Sequence, residues 1–396
     1  MKQRKGIGAV FALGLAGLLA VSGCGSSGSD STSSSNSSSA TAPAGGSGIK
    51  AKILVVGDFT STIPFTLPEI VPMVKGVLKD FPNVEIETCD GKGTAPGFLV
   101  CAQQAVRDRV AGVVLGFSAG GQDLSVLTKA NIPTIGAGDS HSPNSYPTAE
   151  PFSIYVALGA GLAATGCTKL GIVYLDGSDF LIDYIKGGFE GKGGKEVARG
   201  SVAANAADLS PAVSKVTGAG AECVAVSLTP SGGAQALTAL KQSGKTLTVG
   251  GISAVFSTEL LKSLGALAEG LIVVDTVLNS SDDAPGIKDA AAAMHSVDAK
   301  AKMTQQALGS YIAAKLVAAA LPKVSGEVTS ASLTTALDGL RNVDMNGVIP
   351  PWSSIPVEGK TFPRIFNHYG INYKIQGGKA VKEGDFYDIL ALLTGK

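Results

Sequence analysis

The feature that most limits how this chain can fold is a recurring alternation. Short runs of Val, Ile and Leu, bounded by Gly, take turns with helical segments. AKILVVG (51–57), VEIETC (84–89), AGVVLGFS (111–118) and IPTIGAG (132–138) read as strands. Between them, PEIVPMVKGVLKDF (68–81) sets Ile70, Met73, Val74, Val77, Leu78 and Phe81 on one helical face. FLVCAQQAVRDR (98–109) and DLSVLTKAN (123–131) supply two more helices. Apolar strands separated by helices predict a parallel sheet covered on both faces.

The pattern then restarts. Strands are expected at KLGIVYLDG (169–177), EVARGSVA (196–203), CVAVSLTP (223–230), TLTVGGIS (246–253) and GLIVVDTV (270–277). Helices are expected at 179–191, 208–220, 232–244 and 257–265, the third ending at Gly244. Two α/β runs of similar size imply two doubly wound lobes. The tail differs. It holds a helix over 303–324 ending near Pro322, and another over 329–340 with Thr329 or Ser330 as N-cap. A Pro-rich stretch (347–363) follows, then an antiparallel pair within 364–381 turning at Gly-Gly.

The first 49 residues do not belong to this pattern. Lys2, Arg4 and Lys5 precede an apolar run, IGAVFALGLAGLLAV (7–21), of signal-peptide length and short for a membrane span. It ends Val21-Ser22-Gly23-Cys24, which looks like a lipobox. There a peptidase cuts before the Cys and the thiol takes a lipid, each buried CH₂ adding about 0.8 kcal/mol of membrane affinity. Residues 25–49 hold one charge, Asp30, and no aromatic, so they cannot bury enough surface to fold. As a coil they reach roughly 25–30 Å. The expected organisation is a signal peptide (1–23), a lipid-anchored tether (24–49) and a folded body.

Residues 1–23 carry three bases and no acid, so the 32 Lys and Arg fall to 29 against 32 acids in the processed chain. That balance gives no reason to expect a nucleic-acid partner. If Cys24 is lipidated, four of the five cysteines remain. An even number in an exported protein suggests two disulfides, and three pairings are open. Cys89 ends a strand and Cys101 opens the next helix. Cys167 and Cys223 each stand just before a strand of the second run. Cys89–Cys101 and Cys167–Cys223 are the preferred pairs, with buried free thiols as the other possibility.

Motifs for chemistry are sparse. His141, His295 and His368 stand in a loop, an Ala-rich helical stretch and the terminal hairpin. No nucleophile elbow, zinc-protease motif or phosphate loop occurs, and no cofactor or metal is expected. GFSAGG (116–121) matches an elbow in composition only. The turns after the first-run strands are richer. DFTSTIPF, FSAGG and AGDSHS offer hydroxyls and backbone N–H groups where open α/β sheets bind ligands. Thr60, Ser61 and Ser118 are the hydroxyls there, and Phe59, Phe65 and Phe117 the apolar walls.

Taken in order, ILVVGDFTSTIPF, VRDRVAGVVLGFSAGG, ANIPTIGAGDS, CTKLGIVYLDGSDF, ALTALKQSGKTLTVGG and AEGLIVV carry a resemblance. Together they resemble the type I periplasmic binding proteins, in particular the leucine/isoleucine/valine-binding branch of ABC-importer receptors, over nearly all of 50–396. The Cys89–Cys101 segment also resembles lipoprotein members from Gram-positive bacteria. The resemblance implies two lobes joined by three crossovers with a ligand cleft between them. Lobe 1 would be 50–153 plus 278–345, and lobe 2 would be 154–277 plus 346–396.

It implies a monomeric receptor, not an enzyme, at the outer face of the cytoplasmic membrane, with a permease and an ATPase as partners. Ser118 would meet the ligand's carboxylate. Ala137, Gly138 and Ser140 would form a second contact turn. Phe180 would supply an aromatic from lobe 2. The family's acid for the ligand's ammonium should fall near LTPSGGAQ, where this chain has Thr229, Ser231 and Gln235. Asp139 and Asp179 are possible substitutes. An unpaired buried ammonium is costly, so the expected ligand is small, partly apolar and bears a carboxylate or amide. A ligand sensor of the same fold and a secreted hydrolase using Ser118 are the competing classes.

Overall fold

The computed structural model describes residues 48–61, 66–118, 120–149, 152–355, 357 and 364–394. The signal peptide, Cys24, most of the tether and Phe65 lie outside the described residues. Among the described residues no helix is long and apolar enough to cross a membrane.

The first run forms β1 (Ala51–Gly57), α1 (Ile70–Val77), β2 (Val84–Asp90), α2 (Ala95–Arg107), β3 (Gly112–Leu115), α3 (Ser125–Lys129), β4 (Thr134–Gly136) and β5 (Ser145–Pro147). The five strands make one parallel sheet in the order β2-β1-β3-β4-β5. Four consecutive β1 residues, Ile53 to Val56, are buried, as strands covered on both faces must be. α2 begins three residues earlier than its apolar period. Thr94 caps it, its Oγ1 accepting the Gly97 N–H at 3.1 Å, and Pro96 fits the first turn, where no intrahelical N–H is needed.

The second run forms α4 (Ser153–Ala164), β6 (Lys169–Leu175), α5 (Asp179–Glu190), β7 (Lys195–Val202), α6 (Ser210–Gly218), β8 (Cys223–Ser227), α7 (Pro230–Gln242), β9 (Thr248–Ile252), α8 (Thr258–Leu264) and β10 (Ile272–Asp275). The chain then returns through α9 (Pro285–His295), α10 (Gln305–Ala320) and α11 (Ser330–Asp338). α1 packs on α9 and α10, and α10 lies on β3 and β4, so these three helices complete lobe 1. β11 (Tyr369–Gln376) and β12 (Lys379–Asp388) close lobe 2 as an antiparallel edge. The order there is β12-β11-β10-β9-β8-β6-β7, parallel except at that edge. Gly377 and Gly378 both have positive φ, as a tight hairpin turn requires.

The chain therefore crosses between lobes three times: between β5 and α4, between β10 and α9, and before β11. The second and third crossovers are stitched together. Asn367 Nδ2 donates to the Thr276 carbonyl at 3.0 Å, and the Asn279 N–H donates to the Tyr373 hydroxyl at 2.8 Å.

Two expectations need correction. Lobe 2 was expected to take up the chain again at residue 346, but Asn346, Trp352, Ser354, Arg364 and Phe366 pack on lobe 1. The Phe366 ring lies 6.0 Å from Tyr146 and 5.1 Å from Trp352, and Arg364 stands over Tyr146 at 5.3 Å. Ser354 bonds to the Asp338 and Leu340 carbonyls. Buried aromatic surface, not chain order, decides where Trp352 and Phe366 sit.

The second correction concerns the cysteines. Cys89 and Cys101 are joined, with Cα atoms 5.5 Å apart, which ties α2 to β2. Cys167 and Cys223 are free thiols. Cys167 lies in the loop after α4, and Cys223 begins β8 opposite Leu170. The two thiols are hydrogen-bond neighbours, and Cys167 also lies 3.2 Å from Thr165 Oγ1. The bond from Cys223 makes Cys167 the more acidic of the two, while the same pairing and burial push Cys223 up. Iodoacetamide on the unreduced native chain should therefore label Cys167 first. Peptide mapping should recover Cys89 and Cys101 as one linked peptide; a linked Cys167–Cys223 peptide would contradict this arrangement.

Candidate functional site

Every strand of a parallel sheet ends at the same rim, so the turns after β1, β2, β3 and β4 converge. Asp58 follows β1 and is fully buried. Its Oδ1 accepts the Ser118 hydroxyl at 3.1 Å, linking the β1 and β3 turns. Asp90 ends β2. It accepts the N–H groups of Phe59 at 3.0 Å, Thr60 at 3.1 Å and Lys92 at 2.9 Å, and also the Thr60 hydroxyl. Burial works against ionisation of Asp90. These hydrogen bonds, the Thr60 hydroxyl foremost, outweigh it and hold the carboxyl below its ordinary range.

Glycines let the turns close on one another. The Gly91 N–H bonds to the Gly57 carbonyl at 2.9 Å. A Cβ on Gly120 would stand 2.4 Å from Thr94 Cα, so the β3 turn rests directly on the loop after β2. In the β4 turn, Ala137 is tied to the Leu115 carbonyl at 3.0 Å, and a Cβ on Gly138 would meet Ser145 Oγ at 2.2 Å. Ser140 is buried and its Oγ has no hydrogen-bond partner among the described residues. Such an atom calls for a ligand or water.

The structure thus brings Phe59, Thr60, Ser61 and Ser118 around the two aspartates, with Ala137, Gly138 and Ser140 on the neighbouring turn. Phe117 is 51% exposed, unusual for so large an apolar side chain. In lobe 2, Phe180 opens α5, is 57% exposed and meets Phe152 edge-on at 5.9 Å. Thr229 Oγ1 caps α7 by accepting the Gly232 N–H at 3.2 Å and lies 3.2 Å from Ser231 Oγ. Both border a recess of about 230 Å³ beyond β6, β7 and β8, together with Gln235. The two substitute acids are engaged elsewhere. Asp179 accepts the Tyr174 hydroxyl at 2.7 Å, and Asp139 accepts the Ser142 N–H at 2.9 Å and that of His141.

Sequence reasoning passed over Asp58 and the DGKG turn (90–93). The available signal was an aspartate directly after each of two apolar strands, with glycines allowing close approach. It also passed over a recess of about 460 Å³ bordered by Ser253 and Ser257 of lobe 2, Asn279 of the crossover and Gln305 of α10.

A sequence profile described as periplasmic binding protein matches residues 39–362. The chain belongs to the periplasmic binding protein family. Three solved structures are similar to it in fold. A putative branched-chain amino acid ABC transporter protein from Rhodospirillum rubrum is 18% identical, with TM-score 0.68, covering 85% of this chain and 100% of that one. A leucine-binding protein from Thermotoga maritima is 14% identical, with TM-score 0.64, covering 85% and 99%. A solute-binding protein of an ABC transporter from Rhodopseudomonas palustris, in complex with 3,4-dihydroxybenzoic acid, is 19% identical, with TM-score 0.66, covering 86% and 97%. No curated protein matches by sequence. The fold is that of the type I periplasmic binding proteins, two parallel-rich lobes, and the family's members are extracytoplasmic ligand-binding proteins of transport rather than enzymes.

Proposed function

We propose that this periplasmic binding protein is the lipid-anchored solute receptor of an ABC importer, held by Cys24 and a Ser/Gly tether at the outer face of the cytoplasmic membrane. Its ligand is small and partly apolar, and bears a carboxylate or amide end. The observation that supports this most is the pairing of wet and greasy groups at the strand rims. Hydroxyl-bearing turns surround Ser118 and Ser140, while two large aromatics, Phe117 and Phe180, stand exposed, one on each lobe. A ligand that meets both lobes favours the closed arrangement by its differential affinity, and the closed form docks on the permease.

Binding would cover much of both rings. An aromatic side chain buries about 150–250 Å², and burying roughly half of that at about 25 cal/mol per Å² is worth near 2 kcal/mol. Phe117→Ala and Phe180→Ala should each weaken binding about tenfold or more by calorimetry, with the melting temperature of the unliganded chain little changed. Unaltered affinity in both variants would remove the cleft reading. Cys24→Ser should release the protein from the cell surface; a variant still sedimenting with membranes would remove the anchor.

A further inference from the structure

We propose that Asp58 sets the polarity of the ligand end that meets Ser118: the group there is a hydrogen-bond donor, an amide N–H, a hydroxyl or an ammonium, and not a carboxylate. This rests on the receptor reading above and selects between the two ligand ends it allows. A serine hydroxyl has one proton. That of Ser118 is given to Asp58 Oδ1 at 3.1 Å, and the carboxylate that takes it is wholly buried. What Ser118 still offers is lone pairs, and these accept.

Several other donors of the rim are spoken for in the same way, the Ser140 hydroxyl being an exception. The backbone N–H groups of Phe59 and Thr60, and the Thr60 hydroxyl, all point to Asp90. The Ser142 N–H and hydroxyl point to Asp139. Three aspartates of the chain itself thus occupy these donors, Ser118's among them. A carboxylate arriving at Ser118 would find an acceptor where it needs a donor, with a like charge directly behind it. An arriving N–H or O–H finds a lone pair already oriented, and a negative charge that strengthens the bond.

Asp58 makes no direct contact with the cleft, so it is a positioning residue that acts through Ser118. The test is end-group selectivity, which a merely structural role would not invert. Calorimetry on the full-length chain would compare matched probes: benzoate, benzamide and benzylamine, and the isobutyl-bodied acid, amide and amine. The wild type should bind the amide or amine at least tenfold more tightly than the acid of the same body. Asp58→Asn keeps the size and lets the side-chain amide donate to Ser118 Oγ. That frees the serine proton outward, and the preference should shrink or reverse.

Should Asp58→Asn fail to fold, Ser118→Ala serves. It should lose amide affinity and still reject the acid. Acid binding as tightly as amide in the wild type, or an unchanged ratio in a folded Asp58→Asn, overturns the inference and leaves the receptor standing. Silence of every probe counts against the receptor reading itself, and with it this inference.

Discussion

Gly188→Val should destabilise the chain by at least about 3 kcal/mol, and chemical denaturation followed by circular dichroism should read it as a large fall in midpoint. α4 and α5 touch backbone to backbone. A Cβ on Gly188 would stand 2.0 Å from the Val156 carbonyl oxygen, and one on Gly159 would stand 2.0 Å from that of Ile185. No rotamer relieves a clash with main chain, so a side chain must drive the helices apart. α4 in turn covers β8 to β11, so parting the helices opens the core of lobe 2. The residue before it is the control. A Cβ on Gly187 meets nothing within 4 Å, so Gly187→Ala should be neutral or stabilising by up to about 1 kcal/mol through helix propensity. Equal losses at both positions would show that the close approach is not what matters.

The second large effect is electrostatic. Asp275 ends β10 at the start of a crossover and is buried. Burial raises its pKa to about 6, against the pull of the Ser253 hydroxyl and the Thr276 and Val277 N–H groups. An acid whose pKa is higher folded than unfolded binds its proton more tightly in the native state. Its contribution is present below the unfolded value, near 4, and is lost as pH rises through about 6. Across that window the difference of about two units amounts to as much as about 3 kcal/mol. Asp275→Asn keeps an acceptor for the Thr276 N–H and carries no charge. It should be more stable than the wild type at pH 7.5, with the two converging near pH 4. Melting temperatures at both pH values measure this. A variant less stable at pH 7.5, or a gap that does not close on acidification, would mean that the carboxylate is needed as an anion.

Much of this architecture was legible because each lobe repeats one physical motif. Runs such as ILVVG and IVYL are apolar on both faces, and only a helix-covered parallel sheet hides such strands. α4 was not legible. SIYVALGAGLAATG is small and apolar all round, so it shows no helical period, and it is helical because both its sides are buried. β5, three residues long, carries too few positions to show a period of two. The place of Trp352 and Phe366 depends on Tyr146, two hundred residues away, a contact that no local pattern encodes.

The site divides along the same line. Turns at strand ends located Ser118 and Ser140, because the rim rule is topological. The donors' occupants were not readable, since Asp58 and Asp90 reach across to neighbouring turns. The CDGKG stretch is the wedge that packs the β1 and β3 turns together. Cys167 and Cys223 do stand side by side, as the strand starts suggested, but as hydrogen-bonded free thiols, a difference that no local pattern encodes.

The most direct test of the receptor reading is to unfold the purified full-length chain, identify by mass spectrometry any small organic molecule released, and titrate it back into the refolded, stripped protein by calorimetry. The account predicts one-to-one binding of a compact, partly apolar molecule carrying an N–H or O–H donor. It also predicts a negative heat-capacity change from the covered rings and binding severely weakened in Ser118→Ala. Binding unaffected by Ser118→Ala would contradict it; a released molecule whose only polar group is a carboxylate and whose binding needs Ser118 would overturn the donor-end inference and leave the receptor standing.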